Sequence, residues 1–214
     1  MTVLTTPPPA AAPLAAAPPA ARHTIDAPLY RLTVAQFQAM VRHGILTEDD
    51  RVELLHGLIV EKMPLSPPHS FFVTKLMLKF VRLLPDDLHA RQEQSIDLTP
   101  LGSQPEPDLA VIRGSLETYQ DQHPAPPDIV LLIEVSDTTR RRDDEKAALY
   151  AAAGVPLYVI VDIQKRELVQ HTSPNGDAYT EVRTVESFDV RIDEMTLGCI
   201  TRDDLFPALT ETPA

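Results

Sequence analysis

Asp108 stands at the head of an apolar run, Leu109-Ala-Val-Ile112, and Glu134 stands at the end of another, Ile129-Val-Leu-Leu-Ile133. Two such strands paired antiparallel bring the start of one beside the end of the other, and with it both carboxylates to one sheet edge. A hard divalent cation such as Mg²⁺ takes one or two carboxylates together with water and phosphate oxygens, so this pair forms a candidate metal site. Twelve residues after Glu134, Lys146 falls in the first turns of a helix that follows the polar loop from Ser136 to Arg142. From there its ammonium reaches back toward the carboxylates.

Each of these residues also has a plainer reading. Asp108 alone is an ordinary solvated strand-end acid, and Lys146 alone is an ordinary surface residue of a helix. Glu134 is harder to dismiss, because it follows five consecutive apolar residues in a strand that should be buried, where an unpaired charge is costly. Arg140, Arg141 and Arg142 form the one dense basic cluster, just ahead of Asp143, Asp144 and Glu145. They suit bidentate contact with a substrate phosphate, and equally a solvated loop with local ion pairs. His171 and Cys199 have no partners at ligand spacing and read as core or surface residues.

The elements that must position these groups follow from periodicity and punctuation. Thr33 precedes Val34, Phe37, Met40 and Val41 at helical spacing, and Gly44 ends the pattern. Arg51-Val-Glu-Leu-Leu and Leu58-Ile-Val-Glu-Lys-Met flank His56-Gly57 as a two-stranded hairpin. Pro64, Pro67 and Pro68 close that extended segment, and Phe72, Val73, Leu76, Met77, Phe80, Leu83 and Leu84 mark a helix from His69 to about Leu84. Strand-like runs follow at 90–98, 107–113, 129–135, 157–162 and 167–172, with a helix at 143–153 closed by Gly154 and Pro156. The unbroken apolar runs at 129–133 and 157–161 are those of strands covered on both faces. The order predicts an α/β fold built on a mixed sheet flanked by helices.

Length and composition bound this reading. The 214 residues suffice for one domain with a real core, and the net charge of −12, of which −10 lies beyond Gly114, excludes nucleic-acid binding through an overall basic surface but not through a local site. Residues 1–28 hold seven of the 21 prolines among alanines and read as a disordered tail, with 207–214 a flexible C-terminus around a single domain at 29–206. One cysteine excludes an internal disulfide and any cysteine-cluster metal site, as expected of a reducing, cytoplasmic compartment. No apolar run approaches membrane-spanning length, and no signal peptide is apparent.

Taken together, Glu106-Pro-Asp-Leu-Ala-Val, Ile133-Glu-Val-Ser-Asp-Thr-Thr, Asp143-x-x-Lys146-x-x-x-Tyr150 and Gly154-Val-Pro-Leu-Tyr-Val-Ile-Val-Asp162 resemble the Uma2 family of restriction-endonuclease-like proteins. Upstream, Val52-Glu-Leu-Leu-His-Gly-Leu-Ile-Val and Met63-Pro-Leu-Ser-Pro-Pro-His69 extend the likeness, so that it covers roughly residues 30–172. The resemblance implies a PD-(D/E)xK nuclease fold and a Mg²⁺-dependent endonuclease acting on DNA, with Mn²⁺ as the alternative ion. It implies Asp108, Glu134 and the Val135 carbonyl as metal ligands and Lys146 as the residue that orients, or helps deprotonate, the attacking water. In many relatives of the wider fold the lysine stands two residues after the acid, a position held here by Ser136. Glu53 and His69 fall on further motif positions; from the residues alone they read equally as a solvated strand glutamate and an unremarkable helix N-terminal residue. Relatives of this class often cut duplexes as homodimers. The competing reading is a catalytically inactive nuclease-fold module that binds or scaffolds, and a third is a hydrolase of smaller phosphorylated substrates.

Overall fold

In a computed structural model, residues 27–137, 140–192 and 194–206 are described, except for the side chains of Arg140–Arg142. The Pro/Ala tail up to residue 26 and the segment 207–214 therefore lie outside the described residues, as do the side chains of the arginine cluster. The elements run α1 (Val34–Arg42), β1 (Val52–Leu55), β2 (Leu58–Glu61), α2 (Pro67–Leu83), β3 (Leu88–Gln92), β4 (Leu109–Arg113) and β5 (Ile129–Ser136). They continue with α3 (Arg140–Ala152), β6 (Leu157–Asp162), β7 (Glu167–Asn175), β8 (Ala178–Val185), β9 (Ser187–Ile192), β10 (Met195–Thr201) and α4 (Arg202–Leu205). No helix among the described residues is long and apolar enough to cross a membrane.

Strands β3 to β8 form one mixed sheet in sequence order. Neighbours pair antiparallel except β5 and β6, which are parallel and are joined by the α3 crossover. Every residue of β5 is buried, as expected of a central strand covered on both faces. One face packs under α2 and the β9–β10 hairpin through Val73, Leu76, Phe80, Val111, Ile133, Val190 and Ile200. The other packs under α3 through Ala110, Leu132, Leu149, Tyr150, Tyr158 and Ile160. The period-two alternation of β5 sends Ile133 and Val135 to the α2 face, and Leu132, with Glu134, to the α3 face.

Helix α2 begins two residues before the expected start. Ser66 is its N-cap, accepting a hydrogen bond from the His69 amide, and Pro67 and Pro68 occupy the first helical positions, where a missing N–H costs nothing. Prolines that looked like the end of an extended segment thus open a helix. The strand expected at 90–98 stops at Gln92, because Glu93 takes a left-handed φ of 49° and turns the chain out of the ladder. Arg140–Arg142, expected in a loop, form the first turn of α3. The strands β8, β9 and β10 lay beyond the expected elements; β8 and β9 have mostly exposed or alternating side chains, a weak signal in sequence.

The β1–β2 hairpin turns on His56 and Gly57, both at positive φ, the arrangement of a type I′ turn. It is fastened to the chain ahead of β4 by the Gln104 amide on the Leu54 carbonyl at 2.8 Å and the Gly57 amide on the Gly102 carbonyl at 2.7 Å. Leu54 packs with Val34 and Phe37 of α1, so the hairpin sits rigidly and holds Glu53 in place.

Candidate active site

The ends or faces of six elements, β1, α2, β3, β4, β5 and α3, converge on one cleft of about 80 Å³ at the C-terminal end of β5. The β4–β5 register places Leu109 opposite Ile133, so the preceding Asp108 meets Glu134, the edge-sharing pair expected from the sequence. The Val135 amide donates to Asp108 Oδ2 at 2.7 Å. Because a strand residue points its N–H and C=O to the same side, the Val135 carbonyl faces the Asp108 side as well. The β3–β4 register continues to the same point: Gln92 opposes Leu109, and the next residue, Glu93, enters the cleft beside Asp108.

From α2, His69 Nε2 lies 3.0 Å from Asp108 Oδ2. His69, Glu93 and Asp108 each offer a ligand atom, and these atoms all lie within 4.8 Å of one another. Two carboxylates and an imidazole at that spacing fit a divalent cation, with the nitrogen ligand tolerated best by transition ions such as Mn²⁺. Seven carboxylates line the cleft against four basic side chains among the described residues, a surplus of acidic groups that a cation would offset.

Glu134 is engaged differently. Its Oε1 accepts from Lys146 Nζ and from the Tyr150 hydroxyl, each at 3.0 Å. Lys146 Nζ also lies 3.0 Å from Glu53 Oε2, which in turn accepts from the Glu106 amide at 3.1 Å. Glu53, Glu134 and Lys146 are 1%, 4% and 5% exposed. Lys146 and Tyr150 sit one helical turn apart on the face of α3 that meets the sheet, which is how an i, i+4 pair reaches one acceptor.

Burial sets the electrostatics. It pushes the Glu134 carboxyl well above the usual range, against the pull of Lys146 and with the help of the Asp108, Asp143 and Glu53 charges. Burial also works against the charged forms of Lys146 and Asp108, yet both remain favoured. The Glu134 and Glu53 carboxylates hold the Lys146 ammonium above its ordinary pKa. The hydrogen bond and charge of His69, the Val135 amide and Lys146 keep Asp108 low. His69 is desolvated too, but Asp108 raises it above its ordinary value.

All the site residues named from sequence whose side chains are described, Asp108, Glu134, Lys146, Glu53, His69 and Val135, line this one cleft. The sequence reading missed Glu93 and Tyr150 as contributors to it. Tyr150 was visible in the Lys146-x-x-x-Tyr150 spacing, which places it over Lys146 on a helix; Glu93 gave no signal, since its position depends on a backbone turn.

A family model described as "Uma2: Putative restriction endonuclease" matches residues 34–203. A crystal structure of a "putative nuclease belonging to DUF820" from Anabaena variabilis superposes with a TM-score of 0.62 at 16% identity, covering 82% of this chain and 97% of that one. No curated protein matches.

Proposed function

The chain belongs to the Uma2 family of restriction-endonuclease-like proteins, and from that premise we propose that it is a metal-dependent endonuclease that hydrolyses DNA phosphodiester bonds. The observation that carries the proposal is that the His69, Glu93 and Asp108 cluster and the buried Lys146–Glu134 pair share one cleft at one sheet edge. Asp108, Glu93 and His69, with Glu134 and the Val135 carbonyl, would hold Mg²⁺ or Mn²⁺. When bound, such an ion lowers the pKa of water toward neutrality and offsets negative charge developing on the phosphoryl oxygens.

The chain's own residues supply the rest. Lys146 is a fixed positive charge, held 3.0 Å from Glu134 and Glu53, and it orients the attacking water and stabilises the departing charge on phosphate. An ammonium held by two carboxylates, which favour its charged form, suits this electrostatic role better than proton removal. Glu53 and Tyr150 are positioning residues, the first for Lys146 and the second for Glu134. Arg140–Arg142, at the start of the helix that carries Lys146, are proposed to meet substrate phosphates.

The test is incubation with supercoiled, linear and single-stranded DNA in Mg²⁺, Mn²⁺ or EDTA, beside Asp108→Asn, Glu134→Gln and Lys146→Met. Cleavage is expected to need the metal and to fall on the order of a hundredfold or more in each variant. Cleavage at wild-type rate in all three variants overturns the mechanism. No cleavage by the wild type with any metal favours the inactive binding module.

A further inference from the structure

Arg91 on β3 is 8% exposed, and its Nε has no hydrogen-bond partner. Among the described residues no carboxylate pairs with it; the Tyr119 ring lies 5.9 Å from the guanidinium carbon. His123, beside it, has a buried Nδ1 without a partner. A buried guanidinium nitrogen without a partner is costly, and an anion reaching it from the open side would compensate it. Arg91 and His123 line a depression of about 760 Å³. Of the acids on its rim, Asp97 accepts from the Thr99 amide and hydroxyl, Asp128 accepts from the Ala125 amide and acts on Tyr119, and Asp121 is exposed; the Asp97 and Glu106 charges favour the protonated form of His123.

The position relative to the cleft is specific. Arg91 pairs with Ala110 on β3 and lies two residues before Glu93, which follows the end of that strand and enters the acid cleft. The two ends are joined by an intermediate depression of about 500 Å³, which shares Glu93 and Glu106 with the acid cleft and Gln104 and His123 with the Arg91 end.

We infer that Arg91 and His123 form a phosphate-binding subsite that seats the backbone of the nucleic-acid strand beyond the scissile bond. This rests on the nuclease reading above. Arg91 offers a planar donor fork matched to phosphate oxygens, and the partly buried floor strengthens that contact relative to a surface arginine. Such a contact adds affinity and register without reading sequence.

The experiment uses the full chain in EDTA, so that the strand is not cut, and follows a fluorescent oligonucleotide by anisotropy over a range of salt. Arg91→Met is expected to weaken binding about tenfold and to lower the slope of log affinity against log salt by about 0.7–0.9. Its melting temperature should equal or exceed the wild type's, because the change removes an unpaired buried charge and keeps the volume. Titration with inorganic phosphate, followed by histidine NMR shifts, separates the strand from a free anion. Arg91-dependent phosphate binding that the oligonucleotide does not displace overturns the strand assignment. Metal-dependent cleavage by the wild type alongside unchanged oligonucleotide binding by Arg91→Met overturns the subsite and leaves the nuclease reading intact. Strand binding lost in Arg91→Met, in a wild type that cuts with no metal, upholds the subsite and overturns the nuclease reading.

Discussion

Lys146 Nζ is equidistant, at 3.0 Å, from Glu134 Oε1 on the central sheet strand and Glu53 Oε2 on the separate hairpin. One ammonium on α3 therefore ties together two carboxylates that lie 81 positions apart in the chain. The arrangement makes the proposed catalytic lysine a structural clamp as well.

Replacing Lys146 with Met should consequently cost stability as well as activity. It leaves Glu53 and Glu134 facing each other in a buried site, and removing one partner of a buried ion pair typically costs about 3–5 kcal/mol. Urea denaturation should show a lower midpoint with an unchanged slope. Adding Glu53→Gln should recover much of the loss, and a Lys146→Met protein as stable as wild type would contradict the clamp.

Glu93 is expected to act on metal affinity. Glu93→Gln should raise the Mn²⁺ concentration for half-maximal cleavage by about 10–100-fold, a range typical of altered metal surroundings, while leaving the fold unchanged, since Glu93 is half-buried at the end of its strand. Titration of Mn²⁺ by electron paramagnetic resonance measures the same loss without substrate.

Acid stability should depend on Asp204. Its carboxylate lies 2.6 Å from Lys79 Nζ, and it accepts from the Thr201 amide; together these bring its pKa down to about 2 from an ordinary 3.8. A carboxylate with a depressed folded pKa contributes stability that is fully present above the unfolded value and lost as pH falls from about 4 through 2. Asp204→Asn should therefore lower the melting temperature at neutral pH, and the difference from wild type should shrink below pH 4. Equal melting temperatures at neutral pH would show that the pair contributes nothing.

Gly57 has φ +77°, and a Cβ built there would lie 2.7 Å from Arg31 Cβ and 2.9 Å from the Leu32 carbonyl oxygen. Gly57→Ala should destabilise the protein by about 1–2 kcal/mol from the left-handed backbone alone, with more from the contact. Because this hairpin carries Glu53, activity should fall more steeply with temperature than in the wild type. A thermal melt checks the first effect and a cleavage rate over temperature the second.

Much of the site was legible because its members obey local rules. Glu134 after five apolar residues declares a buried acid, Asp108 heading the neighbouring run declares the matching edge, and Lys146 and Tyr150 share a helix face by spacing. Tertiary structure then confirmed the antiparallel pairing and placed the residues in one cleft. The α2 start was misread because Pro67 and Pro68 break strands and begin helices with equal ease; only the Ser66 cap decided between them.

The sequence by itself determined the mixed α/β order, the two buried central strands, and the acids at the head of β4 and near the end of β5, since hydrophobic period and chain direction are local properties. Only the tertiary structure decided that Glu53 and Lys146 pair, that Glu93 turns inward at a left-handed residue, and that Arg91 is left unpaired beneath Tyr119. Those facts depend on which segments meet across the fold and on single backbone dihedrals, and neither carries a periodic trace in the amino-acid order.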